Sequence, residues 1–289
     1  MKTSYLQTKW SSWRLIVTCL ISAAIITGCG SDGGVGSIAG VGTGGTGTTA
    51  KTVSGTVADG YLVNATVFLD KNGNYQLEAG EPSTTTDANG DYKLDIDPAD
   101  LGKYPIVAHA VKGVTIDRDT NQAVTNSFVL SMSKDNVSGT VNNFISPLSS
   151  LLREMMETGD YTSMQHASDA LRTRMGLPAG TDMMADYIAA NNTAMHYAAQ
   201  NMATLMGNQM GYVMGMNGST ITVDVNRYRG MMGVMFNNMS IICGADNQTG
   251  MSNLNNTMTT MWANMPPTSM GQPYQNMSTA YGDMIRGMR

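Results

Sequence analysis

Cysteine is almost missing from this 289-residue chain, which has only Cys19, Cys29 and Cys243. The first two lie in and just behind an N-terminal apolar run. Cys243 is therefore left alone, which excludes an intramolecular disulfide in the remainder and any multi-cysteine metal centre. Placed after Ile241 and Ile242, it is expected to be a buried small hydrophobe. Charge is also sparse, at 13% of residues, and it leans acidic, with 17 basic against 22 acidic side chains. A surface of that sign repels phosphate backbones, so a nucleic-acid partner is disfavoured. Aromatic residues make up only 7%, so other side chains must fill the core. The usual catalytic constellations are missing too. There is no Gly-X-Ser-X-Gly elbow, no phosphate-cradling loop ending in Gly-Lys, and no His-Glu-X-X-His. His166 with Asp169, and His196 with Asp186, are near neighbours in sequence, as charged pairs on helix surfaces commonly are. No enzymatic activity is expected.

The N-terminus is basic (Lys2, Lys9, Arg14) and continues into an apolar run from Leu15 to Ile26. That is the pattern of an export signal, and the run is too short for a convincing spanning helix. The small residues Thr27-Gly28 before Cys29 resemble the lipobox of bacterial lipoproteins. The resemblance implies cleavage after residue 28 and a diacylglycerol and acyl (palmitate-type) modification of Cys29. An ordinary secretory signal containing a cysteine is the alternative. Removing the signal takes away three basic residues and leaves 14 against 22, a net of about −8. Residues 29–50 hold the lipidated cysteine and a Gly/Ser/Thr-rich tether spanning roughly 25 Å as a coil. Gly30, rather than an aspartate, follows the cysteine. Outer-membrane placement is expected, on either the periplasmic or the cell-surface face.

Beyond the tether, short β-type runs alternate with turn residues. Thr52–Val57 and Ala65–Leu69 alternate like half-buried strands. Ser83–Asp87 and Asp91–Ile96, with Asn89-Gly90 between them, predict a hairpin. Tyr104–Ala108 and Ser127–Leu130 supply further strands. Asp117-Arg-Asp119-Thr-Asn121 alternates oxygen-bearing side chains without a following glutamate, and reads as a turn between strands.

After Val137 the periodicity becomes helical. Ser146-Pro147 predicts an N-cap and first helical residue. Leu148, Leu151, Leu152, Met155 and Met156 mark one buried face, which Gly159 ends. Thr162 or Ser163 opens a second helix bearing Met164, Ala167, Leu171 and Met175. Asp182 is read as capping a long third helix to about Met214. Further helices are predicted over 228–242 and 251–265. The fold class is thus α+β by segregated domains, a small β-sandwich over 51–136 followed by a methionine-rich helical domain over 137–289.

One motif carries chemistry. Asp70-Lys-Asn72-Gly-Asn74-Tyr75-Gln76-Leu-Glu78-Ala-Gly-Glu81 is a twelve-residue run with oxygen ligands spaced as a calcium loop presents them. Asp70, Asn72 and Asn74 offer side-chain oxygens, Gln76 its carbonyl, Glu78 a direct or water-mediated contact, and Glu81 a bidentate carboxylate. Position 6, glycine in EF-hands, is Tyr75. A solvated Asn/Gly-rich turn without an ion is the alternative. Together with Val57-Ala-Asp-Gly-Tyr61, Ala65–Asp70, Gly80-Glu81-Pro82 and Thr86–Tyr92, this loop is similar to those of prealbumin-type β-sandwiches of bacterial surface proteins. The relatives are the SdrD B-like and carboxypeptidase-regulatory-like domains. The resemblance covers about residues 52–131 and implies a structural calcium ion in a stalk or spacer.

Of 26 methionines, only Met1 precedes Met132. Met202, Met206, Met210 and Met214 recur at helical spacing, about two turns after His196. Thioethers bind Cu(I), so a copper site at His196, Met202, Met206 and Met210 is conceivable. Core filling or an adaptable protein-binding surface are the competing accounts. The reading is a non-enzymatic, lipid-anchored envelope protein of adhesion or scaffold type, a calcium-stabilised spacer presenting helices to a protein or envelope partner. A copper-binding envelope lipoprotein is the alternative.

Overall fold

The computed structural model describes residues 49–217, 220–244 and 247–264. Cys29, the export signal, most of the tether and the tail after 264 lie outside the described residues. The described residues lie within one contact unit.

Among the described residues, ten strands precede the first α-helix: β1 (Lys51–Val57), β2 (Leu62–Val63), β3 (Thr66–Leu69), β4 (Ser83–Thr85), β5 (Asp91–Ile96), β6 (Ile106–Ala110), β7 (Ile116–Asp117), β8 (Gln122–Ala123), β9 (Phe128–Met132) and β10 (Asn143–Ile145). Then come α1 (Pro147–Glu157), α2 (Met164–Arg174), α3 (Thr193–Val213), the hairpin β11 (Met214–Asn217) and β12 (Thr220–Val223), α4 (Val225–Asn237), α5 (Met239–Ile242) and α6 (Gln248–Asn264). Among the described residues, no helix is long and apolar enough to cross a membrane.

The chain is α+β, with sheets first and helices after. One sheet has the order β10-β1-β5 and a second β4-β3-β6-β9, while β2-β7-β8 form a small third. β5 alternates strictly between exposed and buried residues, as a strand with one covered face should. β6 and β9 are buried at every position. α1 and α3 pack against β9, so helices cover ground that a free-standing sandwich would leave to solvent.

β9 is an edge strand, and an edge leaves backbone groups unpaired. Here hydroxyl groups satisfy them. Ser150 Oγ accepts the Ser131 N–H at 2.8 Å, and Ser149 Oγ donates to the Ser131 carbonyl at 2.7 Å. Tyr228 of α4 donates to the Val129 carbonyl at 2.9 Å. The expected boundary at 136/137 is likewise crossed by β10, which pairs in parallel with β1 through Gly55–Val57. Sheets and helices therefore share one core.

Several expectations need correction. Ser83–Asp87 and Asp91–Ile96 do not form a hairpin: β4 pairs with β3, and β5 pairs with β1. The turn itself exists, with Gly90 at φ 82° and its N–H on the Asp87 carbonyl, but it carries the chain from one sheet to another. Asp182 caps no long helix. Asp182 accepts the N–H of Met184 and Asp186 those of Ile188 and Ala189, and the helix starts only at Asn192, whose side chain accepts the Met195 N–H. The predicted helix over 228–242 breaks at Asn238, giving α4 and α5. The helices capped by Ser146 and Ser163 form as expected.

Candidate functional site

The loop from Asp70 to Glu81 leaves the end of β3 and turns back on itself through side-chain-to-backbone bonds. Asp70 Oδ1 accepts the N–H groups of Gly73 (2.8 Å) and Asn74 (3.1 Å), and Oδ2 accepts that of Tyr75 (3.1 Å). Asn72 and Asn74 direct their carbonyl oxygens at the N–H groups of Asn74 and Gln76, and their amides at Glu78, 2.9 and 2.8 Å away. Glu81 folds back onto the N–H groups of Lys71 (2.7 Å) and Glu78 (3.0 Å). Position 6 does take the left-handed turn that glycine usually makes, since Tyr75 has φ 62°. A side chain in that region costs of order 1–3 kcal/mol and needs surroundings that hold it there.

Those surroundings belong to the helices. The Tyr75 ring is fully buried, stacked under the Arg153 guanidinium at 4.1 Å and 4.7 Å from the Tyr228 ring. Its hydroxyl donates to Glu154, and its carbonyl lies 2.7 Å from His109 Nε2. Arg153, with no exposed surface, reaches Asp70 Oδ2 at 3.4 Å and Glu157 at 2.8 Å. Arg229 of α4 closes the group by bonding Glu154 at 2.8 Å and also pairing with Glu157. Burial pushes the Glu154 carboxyl above its ordinary range, against the pull of Arg153 and Arg229. Burial also opposes the charge on Arg153, but Tyr75, Glu157 and Glu154 more than offset it.

The structure thus separates the expected calcium ligands. Asn72, Asn74 and Glu78 come together on the exposed side, and Glu81 stays next to them. Asp70 turns inward, where three N–H groups and a guanidinium occupy the roughly four lone-pair positions of a carboxylate. Among the described residues, no three or more His, Cys, Asp or Glu side chains are grouped to hold a metal ion. An ion on this loop would draw on Glu78, Glu81 and the two asparagine oxygens, with Asp70 shaping the loop.

The residues of the copper set have other surroundings. Met202, Met206 and Met210 are core residues, at most 2% exposed. His196 instead bonds Asp119 at 2.7 Å and stacks on Tyr187. Cys243 is half-buried, and burial raises its thiol to about 11, so it is not a ready nucleophile. Sequence reasoning missed Arg153, Glu154 and Arg229. Its only signal was a charged pair inside an otherwise apolar helix turn, which reads equally well as a solvated stripe.

Comparison with protein-family models, curated proteins and solved structures finds no match to this chain.

Arg153→Met should destabilise the protein by about 3–5 kcal/mol in urea unfolding, because it strands the buried Asp70 without its cation, whereas Glu157 keeps Arg229. A loss below about 1 kcal/mol would show the network to be incidental. His109 supplies a pH test. Burial lowers its pKa, outweighing the Tyr75 carbonyl and Asp70, which favour the charged form. Below about pH 6.5 the unfolded chain then takes up a proton that the folded one refuses, so stability falls with acid. His109→Gln should flatten stability between pH 6.5 and 5, and an unchanged slope would refute this.

Proposed function

We propose that this chain is a non-enzymatic, lipid-anchored envelope protein, tethered through an acylated Cys29 to the outer membrane. A calcium ion on the 70–81 loop stiffens a prealbumin-type β layer. The methionine-rich helices fused to that layer offer a surface to a protein or envelope partner. The observation that carries the reading is the rooting of the loop in the helices. Asp70 and Tyr75 are fully buried and bound to Arg153 and Glu154 of α1. Whatever orders this loop therefore also orders the contact between sheet and helix.

The fused layers modify the spacer idea. Load passed between the tether and the helices would run through a continuous core, not through a hinge between two domains. Arrangement and composition both suit a passive structural part. The titratable groups with the strongest perturbation around the loop are paired with one another and shut away from solvent, where no substrate could reach them.

Thermal unfolding in calcium and in chelator tests the ion. Glu78→Gln with Glu81→Gln is the informative variant, because Asp70→Ala would take one carboxylate from the buried Arg153 whether or not an ion binds. At a free calcium about a hundredfold above the dissociation constant, the loop's share of stabilisation should be about 2.7 kcal/mol. That share is the calcium gain of the wild type minus the calcium gain of the double variant. Equal gains in the two proteins would remove the loop from the account. The anchor is tested separately. Cells fed an alkyne-tagged palmitate should label the wild-type chain in the membrane fraction and leave Cys29→Ala unlabelled and released. Labelling that persists in Cys29→Ala would overturn the anchor.

A further inference from the structure

A second acidic group lies away from the loop. Ala58 and Tyr61 bridge a tight turn holding Asp59 and Gly60, pinned from below by the Tyr187 hydroxyl on the carbonyls of Ala58 (3.1 Å) and Asp59 (3.3 Å). Asp59 is only 9% exposed, and its Oδ1 has no hydrogen-bond partner. Two more carboxylates press on the same turn. A Cβ on Gly60 would come within 2.4 Å of Asp117 Oδ1 and 2.6 Å of Asp119 Oδ2, so any side chain there would have to push these carboxylates aside.

The three carboxylates differ in how their charge is met. Asp119 Oδ2 receives His196 and Gln200, both at 2.7 Å. Asp117 has neutral partners only, the Asp119 N–H and the Thr120 hydroxyl, each at 2.9 Å. Asp59 Oδ1 has nothing. Arg118, the nearest cation in sequence, turns to Asn89 instead. Burial first, and then Asp117, raise the Asp59 pKa to about 8. Beside these groups is a cavity of about 270 Å³ between the β7–β9 region and α3. Asp59, Asp117, Thr120, Gln122, Asn126 and Asn208 all face it, and no basic side chain lines it. An unpaired buried carboxylate is expensive, and a second one beside it doubles the need for positive charge.

We propose that this cavity wall is a second cation site, built from Asp59 and Asp117 with the neutral oxygens of Thr120 and Gln122, for a hard divalent ion of the calcium class. Two carboxylates with hydroxyl, amide and water oxygens suit such an ion, which takes about six to eight oxygen ligands. No sulfur or imidazole lines the cavity to favour a softer metal. Asp119, held by His196, flanks the site and does not enter it. The site is independent of the 70–81 loop.

Counting bound calcium by equilibrium dialysis separates the two sites. The proteins are the wild type, Asp59→Asn, Glu78→Gln/Glu81→Gln, and the combination of all three changes. The Asp59 site predicts one equivalent fewer on adding Asp59→Asn, both to the wild type and to the loop variant. An unchanged count in the loop variant would overturn it, and failure of the loop itself would show as a wild type binding only one ion. Melting temperatures give the second readout. In chelator, Asp59→Asn should melt at or above the wild type, because without an ion the buried carboxyl is already held mostly neutral and the variant loses nothing. In millimolar calcium the order should reverse. If Asp59 merely holds a proton, Asp59→Asn melts at or above the wild type under both conditions, and the proposal fails. Asp117→Asn should repeat the loss of one equivalent, which guards against a folding defect particular to position 59.

Discussion

The rest of the molecule depends on one buried cation, the guanidinium of Arg153. It has no exposed surface, yet it touches the root of the loop through Asp70, the ring of Tyr75, and Glu157 on its own helix. Taking such a charge out of water costs several kcal/mol, and pairing returns that cost only when the geometry is good. The net energy is therefore the wrong measure of its importance. What it supplies is register. Turning α1 by one residue would swing Arg153 away from Asp70 and leave that carboxylate in the interior without its cation.

Asp70 and Asp59 make a controlled comparison inside one protein. Both are buried carboxylates at strand ends next to turns. Asp70 collects three backbone N–H groups and a guanidinium, and its neighbourhood needs no further ion. Asp59 has an oxygen that meets no donor, and a second carboxylate as neighbour. Sequence spacing placed Asp70 at the first position of a metal-binding loop and did not single out Asp59. The local balance of donors and acceptors separates the two, because Asp70 has its lone pairs taken up by N–H groups and a guanidinium while Asp59 keeps an oxygen without a donor.

How much of this was legible in the sequence depends on the range of the signal. Alternation in β5 and the serine caps of α1 and α2 are local, and they were readable. The turn at Ala88-Asn89-Gly90 was also readable, but a turn reports only that the chain reverses. Whether its two arms pair or part to different sheets is decided by β1 and β3, which lie far off in sequence. Asp182 misled for a related reason. Asp182, Asp186 and Asn192 all have side chains that can cap a helix, and only tertiary contacts, such as the seat of Tyr187 against Ala58 and Asp59, select the last of them. Arg153 and Glu154 were invisible as core residues because charge on a helix normally means water. Only the positions of Tyr75 and Arg229, 78 and 76 residues away respectively from Arg153, reveal otherwise.

The methionine-rich core and the polar network explain each other. Met202, Met206, Met210, Met231, Met232, Met235, Met239 and Met258 are all buried, while aromatic residues are few. Methionine gives as much apolar burial as leucine, but its flexible chain fits many shapes and so specifies none. A core filled this way would let helices slide over the sheet at little cost. Hydrogen bonds do not slide in that manner. Ser149 and Ser150 address one residue of β9, Tyr228 addresses another, and Tyr187 addresses the turn at Asp59. Each bond fails completely when the register shifts, since the donor or acceptor is then left buried without a partner. The soft side chains supply the attraction between sheet and helices, and these few directional contacts determine where the helices come to rest.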